Sequence, residues 1–276
     1  MKGKLYVVAT PIGNLKDITL RALETLKIVN YIACEDTRHT RKLLNYYGIT
    51  NKKLISYHDY NEEKVAPKIL NILQNEDVAL VSDAGTPCIS DPGYNIVKLC
   101  RENSIDVIPI PGVSALTTAI SVSGLPTDKF FFVGFLHQKE SQKTKQLKGY
   151  IGLGYTFIFY ESPARILNSL EIINNIDRDA KIFIGKELTK IHEKFFYGTV
   201  EEVINSIKQS KENLKGEFVI VVYPSEKEEE IDIEEEVKQL LLSGKSAKDI
   251  TKLLTAKYNL PKNKVYKIIM DIKEKL

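Results

Sequence analysis

The stretch Val78–Gly93, VALVSDAGTPCISDPG, constrains the fold of this 276-residue chain more than any other. Its opening run, Val78-Ala79-Leu80-Val81, has the length and branching of a strand buried on both faces. The chain then changes to Ser82-Asp83-Ala84-Gly85-Thr86-Pro87, small residues that let a backbone come close to a ligand. Asp91-Pro92 reads as a helix N-cap followed by a proline in the first helical position. Strand, tight polar loop and capped helix together predict a binding corner at the carboxyl end of a parallel sheet. Asp83, Thr86, Ser90 and Asp91 supply more polar groups than a change of direction requires.

Two more corners of this kind flank it. The strand Leu5–Ala9 runs into Thr10-Pro11-Ile12-Gly13-Asn14, ahead of a helix with Asp17 as its cap and Ala22, Leu23, Leu26 and Val29 as its apolar stripe. The strand Val107–Ile110 runs into Pro111-Gly112-Val113-Ser114-Ala115. Between them lie strands at Tyr31–Cys34 and Leu54–Tyr57. Helices there are striped by Val65, Ile69, Ile72 and Leu73, and by Ile96, Val97 and Cys100. This alternation predicts a parallel sheet over residues 1–123, with a ligand along one edge. Directly after Tyr31–Cys34, the run EDTRHTRK (Glu35–Lys42) crowds charge where a strand meets a helix. A helix start capped by Thr37 explains only part of it.

Gly124-Leu125-Pro126-Thr127-Asp128 breaks the pattern and marks a domain boundary. Residues 124–225 read as a second α/β domain with a mixed sheet, its strands aromatic at Phe130–Val133, Phe157–Tyr160, Ile182–Ile184 and Glu217–Val222. One helix is striped by Ile166, Leu170 and Ile173, and another opens with a Thr199–Glu202 capping box. The segment His137–Lys145 is polar and basic and is expected to be mobile. Residues 226–276 comprise an acidic linker, Glu226–Glu236, and a small three-helix domain in which ten lysines face three acids. That balance suits a nucleic-acid surface, although a solvated lysine face explains it equally well.

Composition excludes more than it selects. A formal charge of +3 announces no polyanion partner for the chain as a whole. The three cysteines, Cys34, Cys88 and Cys100, have no metal-like spacing and suit buried positions in a reducing compartment. No apolar run is long enough to span a membrane, so the expectation is a soluble cytoplasmic protein. The four histidines are scattered without zinc spacing, and GxGxxG, P-loop, GxSxG and CxxC motifs are absent.

In order along the chain stand LYVVATPIGNLKDITLRALETL, ACEDTRHTRKLL, ISYHDYNE, ALVSDAGTPCISDPG, PIPGVSA, SGLPTDKFFFVGFL, FYESPARI and KELTK. They resemble the successive signatures of the 16S rRNA ribose methyltransferases of the tetrapyrrole methylase superfamily. The resemblance implies a non-Rossmann fold of two α/β domains with a small C-terminal helical domain, and assembly as a homodimer. It implies S-adenosylmethionine as methyl donor and, as acceptor, the 2′-hydroxyl of a cytidine ribose in the decoding centre of 16S rRNA. Because that ribose must be presented in folded form, the expected partner is the assembled small ribosomal subunit.

Carried across by motif, the cofactor residues are Thr10 and Pro11 in the first corner, Asp83, Ala84, Gly85, Thr86 and Ile89 in the second, and Ser114 and Ala115 in the third. Tyr160, Glu217 and Phe218 join them from the second domain. Glu35, Asp36 and Glu187 are candidate bases for the hydroxyl proton, with Lys186 or Arg38 orienting a phosphate or lowering the hydroxyl pKa. The sequence does not choose among these three acids, and no metal ion is expected. A tetrapyrrole or protein acceptor on the same scaffold is the main alternative. A non-catalytic ribosome-binding factor acting through the basic tail is another.

Overall fold

The structure, a computed structural model, describes residues 2–225, 233–258 and 260–274. It divides into two compact units, 1–225 and 226–276. The first unit holds two five-stranded sheets. In the first, β1 (Leu5–Val8), β2 (Tyr31–Cys34), β3 (Lys53–Ser56), β4 (Val78–Val81) and β5 (Val107–Ile110) lie in the order β3-β2-β4-β1-β5. Every pairing is parallel.

Helices cover both faces of this sheet. On one side Ile69 and Leu73, from α3 (Glu62–Ile72) and its C-cap, join Ile96 and Cys100 of α4 (Tyr94–Glu102) over Leu5, Val78 and Leu80. On the other, Ala22 and Leu26 of α1 (Leu20–Ile28) and Leu44 of α2 (Thr37–Tyr46) cover Val8, Ile32, Ala79 and Val81. Strand β4 therefore needs apolar side chains in both directions, which is why VALV is continuous rather than alternating. The chain leaves β1 across β4 to reach β2, and later leaves β4 across β1 to reach β5. This reversal gathers the loops after β1, β4 and β5 at one carboxyl edge, where open α/β sheets bind ligands.

The second sheet contains β6 (Phe130–Phe135), β7 (Thr156–Glu161), β8 (Lys181–Lys186), β9 (Lys194–Thr199) and β10 (Phe218–Tyr223), ordered β6-β7-β10-β8-β9. Only β6 and β7 pair in parallel, so the sheet is mixed. Helices α6 (Glu140–Gly152), α7 (Ile166–Ile176) and α8 (Val200–Lys208) bury one face. On the other face, α5 (Ala115–Val122) brings Ala119 and Ile120 against Ile158, Val219 and Val221. The same helix thus follows the third corner and packs on the second sheet, joining the sheets at the site. Thr199 and Glu202 form the expected capping box of α8.

Several local expectations are corrected. Asp17 lies in a short 3-10 turn, and Thr19 caps α1 by accepting from the Ala22 N–H at 3.1 Å. Asp36, not Thr37, caps α2, because its carboxylate accepts both the Arg38 N–H at 2.7 Å and the Arg38 guanidinium. Helix α4 begins only at Tyr94, with Gly93 at a φ of 144° as its cap, so Asp91 is no cap. The His137–Lys145 segment is largely the start of α6. Lys143 is 2% exposed there and donates to Asn168 Oδ1 and Ser169 Oγ, so the segment is pinned by a buried ammonium. Strand β9, KFFYGT, escaped the sequence reading because its outward residues Phe195 and Tyr197 are apolar too and blur the alternation.

In the second unit, α9 (Glu234–Leu242), α10 (Ala247–Tyr258) and α11 (Lys262–Lys273) enclose Ile233, Val237, Ile250, Leu254, Val265 and Ile269. Of the acidic linker, 226–232 lie outside the described residues. Glu234, Glu235 and Glu236 form the first turn of α9, where negative charge offsets the helix dipole. Lys238, Lys245, Lys248, Lys252, Lys257, Lys262, Lys267 and Lys273 are all exposed. Among the described residues no helix is long and apolar enough to cross a membrane.

Candidate active site

A cleft of about 290 Å³ opens where the loops after β4 and β5 meet the ends of β7 and β10. Its floor is the Ala84–Thr86 turn. Gly85 pairs with Thr10 through two backbone hydrogen bonds of 2.8 and 3.0 Å, which locks the second corner to the first. The turn takes Gly85 to a φ of +85°, and a Cβ there would sit 3.3 Å from Ile12 Cγ2. Glycine is thus required by conformation, and the space for a side chain is tight. The Thr86 hydroxyl donates to the Val113 carbonyl at 3.0 Å, tying the second corner to the third.

The far wall comes from the second sheet. Tyr160 stands edge-on to Phe132 and Phe135, with ring centroids 4.9 and 5.6 Å away. Burial raises its hydroxyl pKa, partly offset by the Ser114 side chain and the Leu116 N–H at the start of α5. Next to Tyr160, the fully buried Glu161 also borders the cleft. Its carboxylate accepts from Arg165 Nε at 2.6 Å, the Ser162 N–H at 2.9 Å and Ser169 Oγ at 2.7 Å, with Lys143 Nζ 4.0 Å away. It is fully engaged and sets the position of Ser162 and Pro163 rather than offering a free charge.

Asp91 is the cleft carboxyl that no cation engages among the described residues. Burial, only partly offset by the neighbouring Ser82 hydroxyl, and then the carboxylates of Glu35, Asp83 and Asp59 push its pKa up to about 7. It lines the cleft directly. Burial, then Asp83 and Asp59, also raise Glu35. Asp36 is held far below the usual carboxylate range by its hydrogen bonds to Arg38. A carboxyl that titrates near neutrality inside a cleft is the group best suited to take a proton there.

The sequence-derived residues divide as follows. Ala84, Gly85, Thr86, Ile89, Ser114, Ala115, Tyr160, Glu217 and Phe218 line the cleft. Thr10, Pro11 and Asp83 stand behind it, and Thr10 braces Gly85. Glu35 and Asp36 sit beyond Asp83, and the Asp36–Arg38 pair faces solvent with Arg38 87% exposed. Lys186 and Glu187 line a neighbouring pocket that shares Gly216 with the cleft. Asp91, Phe135, Glu161 and Gly216 were not singled out as site residues. Reading Asp91 as a helix cap concealed it, although its surplus polarity was already visible. Among the described residues, no group of three or more His, Cys, Asp or Glu is placed to hold a metal ion.

Residues 4–204 match the family model for tetrapyrrole (corrin/porphyrin) methylases. Ribosomal RNA small subunit methyltransferase I of Escherichia coli O157:H7 is 42% identical, over 98% of this chain and 96% of its own. The protein of that name from Halalkalibacterium halodurans is 40% identical over 97% and 94%. Among solved structures, diphthine synthase superposes with a TM-score of 0.61 at 15% identity, covering 80% of this chain and 90% of its own. Uroporphyrin-III C-methyltransferase from Thermus thermophilus, complexed with S-adenosylhomocysteine, gives 0.55 at 17% identity, over 79% and 97%. These two establish a shared fold alone. The chain belongs to the tetrapyrrole methylases and, within them, to the ribosomal RNA small subunit methyltransferase I family.

Proposed function

We propose that this protein methylates the 2′-hydroxyl of a cytidine ribose in 16S rRNA, in the decoding centre of the assembled small subunit, with S-adenosylmethionine as donor. The observation that carries the site assignment is the cleft itself, in which a glycine turn, an aromatic wall and one carboxylate near neutral pKa converge. These residues fit the donor. Ile12, Tyr160, Phe218 and Val219 offer the apolar surface an adenosyl group needs, and Asp91 offers a counter-charge to a sulfonium. When bound, S-adenosylmethionine supplies a methyl group already activated for in-line displacement.

What remains for the chain is positioning and one proton. The locked Thr10–Gly85 and Thr86–Val113 contacts hold the turn rigid, so little freedom has to be given up on alignment. Asp91 takes the ribose proton, a contribution of about 10²–10⁴-fold for a well-placed base. Glu35 and Asp83 act behind it, raising its basicity through their charge.

A domain division near residue 124, a homodimer and a cytoplasmic setting belong to the same proposal. Labelled S-adenosylmethionine, purified protein and small subunits test its core. Label recovered as 2′-O-methylcytidine after nuclease digestion is the expected result, and label in a base or a protein side chain overturns it.

A further inference from the structure

The last row of the second sheet, on the face covered by α6, α7 and α8, reads Glu161, Phe218, Lys186 and Lys194 across β7, β10, β8 and β9. Glu161 and Phe218 belong to the cleft, whereas Lys186 and Lys194 belong to the adjoining pocket of about 580 Å³. Gly216 borders both, so the two spaces are neighbours across one backbone segment. Gly216 must stay small, because a Cβ on it would lie 2.5 Å from Glu187 Cγ.

Two lysines directly opposed on antiparallel strands repel each other. Here no salt bridge at contact distance relieves them, although Glu187 and Glu212 act on Lys186 from farther off. Lys186 is 6% exposed, yet its ammonium has no hydrogen bond and no ion pair among the described residues. Lys194 donates to the neutral Asn213 Oδ1 at 2.9 Å and lies over the Phe196 ring, and neither contact cancels its charge. The carboxylates that border the pocket are engaged elsewhere. Glu187 holds Lys190 at 2.9 Å and the Glu217 N–H, Glu193 accepts from the Thr189 N–H at 2.6 Å, and Glu212 holds Lys215 at 2.7 Å. Two ammonium groups opposed across one strand pair beside the cleft favour an anion in the space between them.

We propose that the Lys186–Lys194 pocket is a phosphate subsite, occupied by a phosphodiester of the RNA strand whose ribose enters the cleft. It rests on the methyl-transfer reading for the identity of the strand, and on the lysine row for its place. The subsite positions the strand without reading its bases. Lys186 is thereby a binding residue rather than the proton acceptor's partner.

The test uses the full-length protein, a fluorescein-labelled single-stranded oligoribonucleotide and anisotropy at a series of salt concentrations. Lys194→Gln and Lys186→Met should each weaken binding several-fold and flatten the log–log salt slope by about 0.7, the single-strand value per neutralised phosphate. Lys194→Arg should keep the wild-type slope. Affinity for S-adenosylmethionine should be unchanged in all three, which also shows that they fold. Wild-type slopes in Lys194→Gln and Lys186→Met overturn the subsite, even if small subunits are still methylated. Lysine-dependent RNA binding by a protein that methylates no ribose leaves the subsite standing and sinks the methyl-transfer reading instead.

Discussion

The backbone N–H of Asp36 donates to Asp83 Oδ1 at 3.1 Å, while the N–H of Asp83 serves the Glu35 carboxylate. This reciprocal pair joins the end of β2 to the loop after β4 and fixes two negative charges behind Asp91. Asp83→Asn keeps an oxygen acceptor for the Asp36 N–H but removes one of those charges. The pKa of Asp91 should fall, and the acid limb of the pH–rate profile should move to lower pH. An unmoved limb would mean that Asp83 does not act on the titrating group.

Asp91 itself gives the sharper pH signature. Its carboxyl titrates at about 7, so kcat/KM should rise with pH through that value in the wild type. Asp91→Asn should lose the limb and about 10²–10⁴-fold in rate. Stability runs the other way. The folded pKa is raised above the unfolded value of about 3.9, so the folded state binds the proton more tightly. Wild-type stability therefore falls between about pH 4 and 7, and the deficit persists above. Relative to wild type, Asp91→Asn should gain in Tm across that window and then plateau, as calorimetry at pH 4, 6 and 8 can check.

The chain showed its parallel sheet plainly because β4 is buried on both faces and its apolar run has one reading. The three small-residue corners were legible for the same reason, since Gly85 and its neighbours leave no bulk to misplace. What failed was local competition among polar residues. Asp36 and Thr37, or Asp17 and Thr19, are equally good caps by residue type, and local contacts, the Arg38 guanidinium on Asp36 and the Ala22 N–H on Thr19, go with one of each pair. Asp91 reads as a cap in the sequence because a cap and a cleft carboxylate share one residue type. Lys143 falls in a segment expected to be mobile because nothing local reveals that Asn168 and Ser169 come to meet it from α7.

Gly85→Leu should weaken S-adenosylmethionine binding by tenfold or more in titration calorimetry while leaving the fold intact. The substituted residue meets a φ of +85° and Ile12 at contact distance, both of which displace the turn on the cleft floor. Unchanged affinity would remove the turn from the donor site.

The buried network behind the cleft should respond asymmetrically to mutation. Glu161→Gln leaves Lys143 and Arg165 without the charge they share, a loss of about 3–5 kcal/mol. Lys143→Met should cost less, about 1–3 kcal/mol for the stranded Asn168 and Ser169 partners. Arg165 still neutralises Glu161, and burial already lowers the Lys143 pKa against its charged form. Urea titrations that reverse this order would show that Lys143, not Arg165, carries the pairing.

The three-helix unit supplies the last test. It has its own core in Ile233, Val237, Ile250, Leu254, Val265 and Ile269, and residues 1–225 form a separate compact unit. A chain ending at Ser225 should therefore fold and bind S-adenosylmethionine as the full-length protein does. Eight of the unit's lysines are exposed, with Lys257 paired to Glu236 at 2.7 Å. Exposed lysines meeting RNA phosphates release counterions, so removing each lysine–phosphate pairing should flatten the log–log salt slope of small-subunit binding by about 0.7–0.9. The shortened chain should bind the subunit more weakly and with a shallower slope. If the lysines merely solvate the helices, the slope stays as in the full-length protein, and the unit's role then shifts to stability or self-association, which thermal melts and sedimentation would register instead.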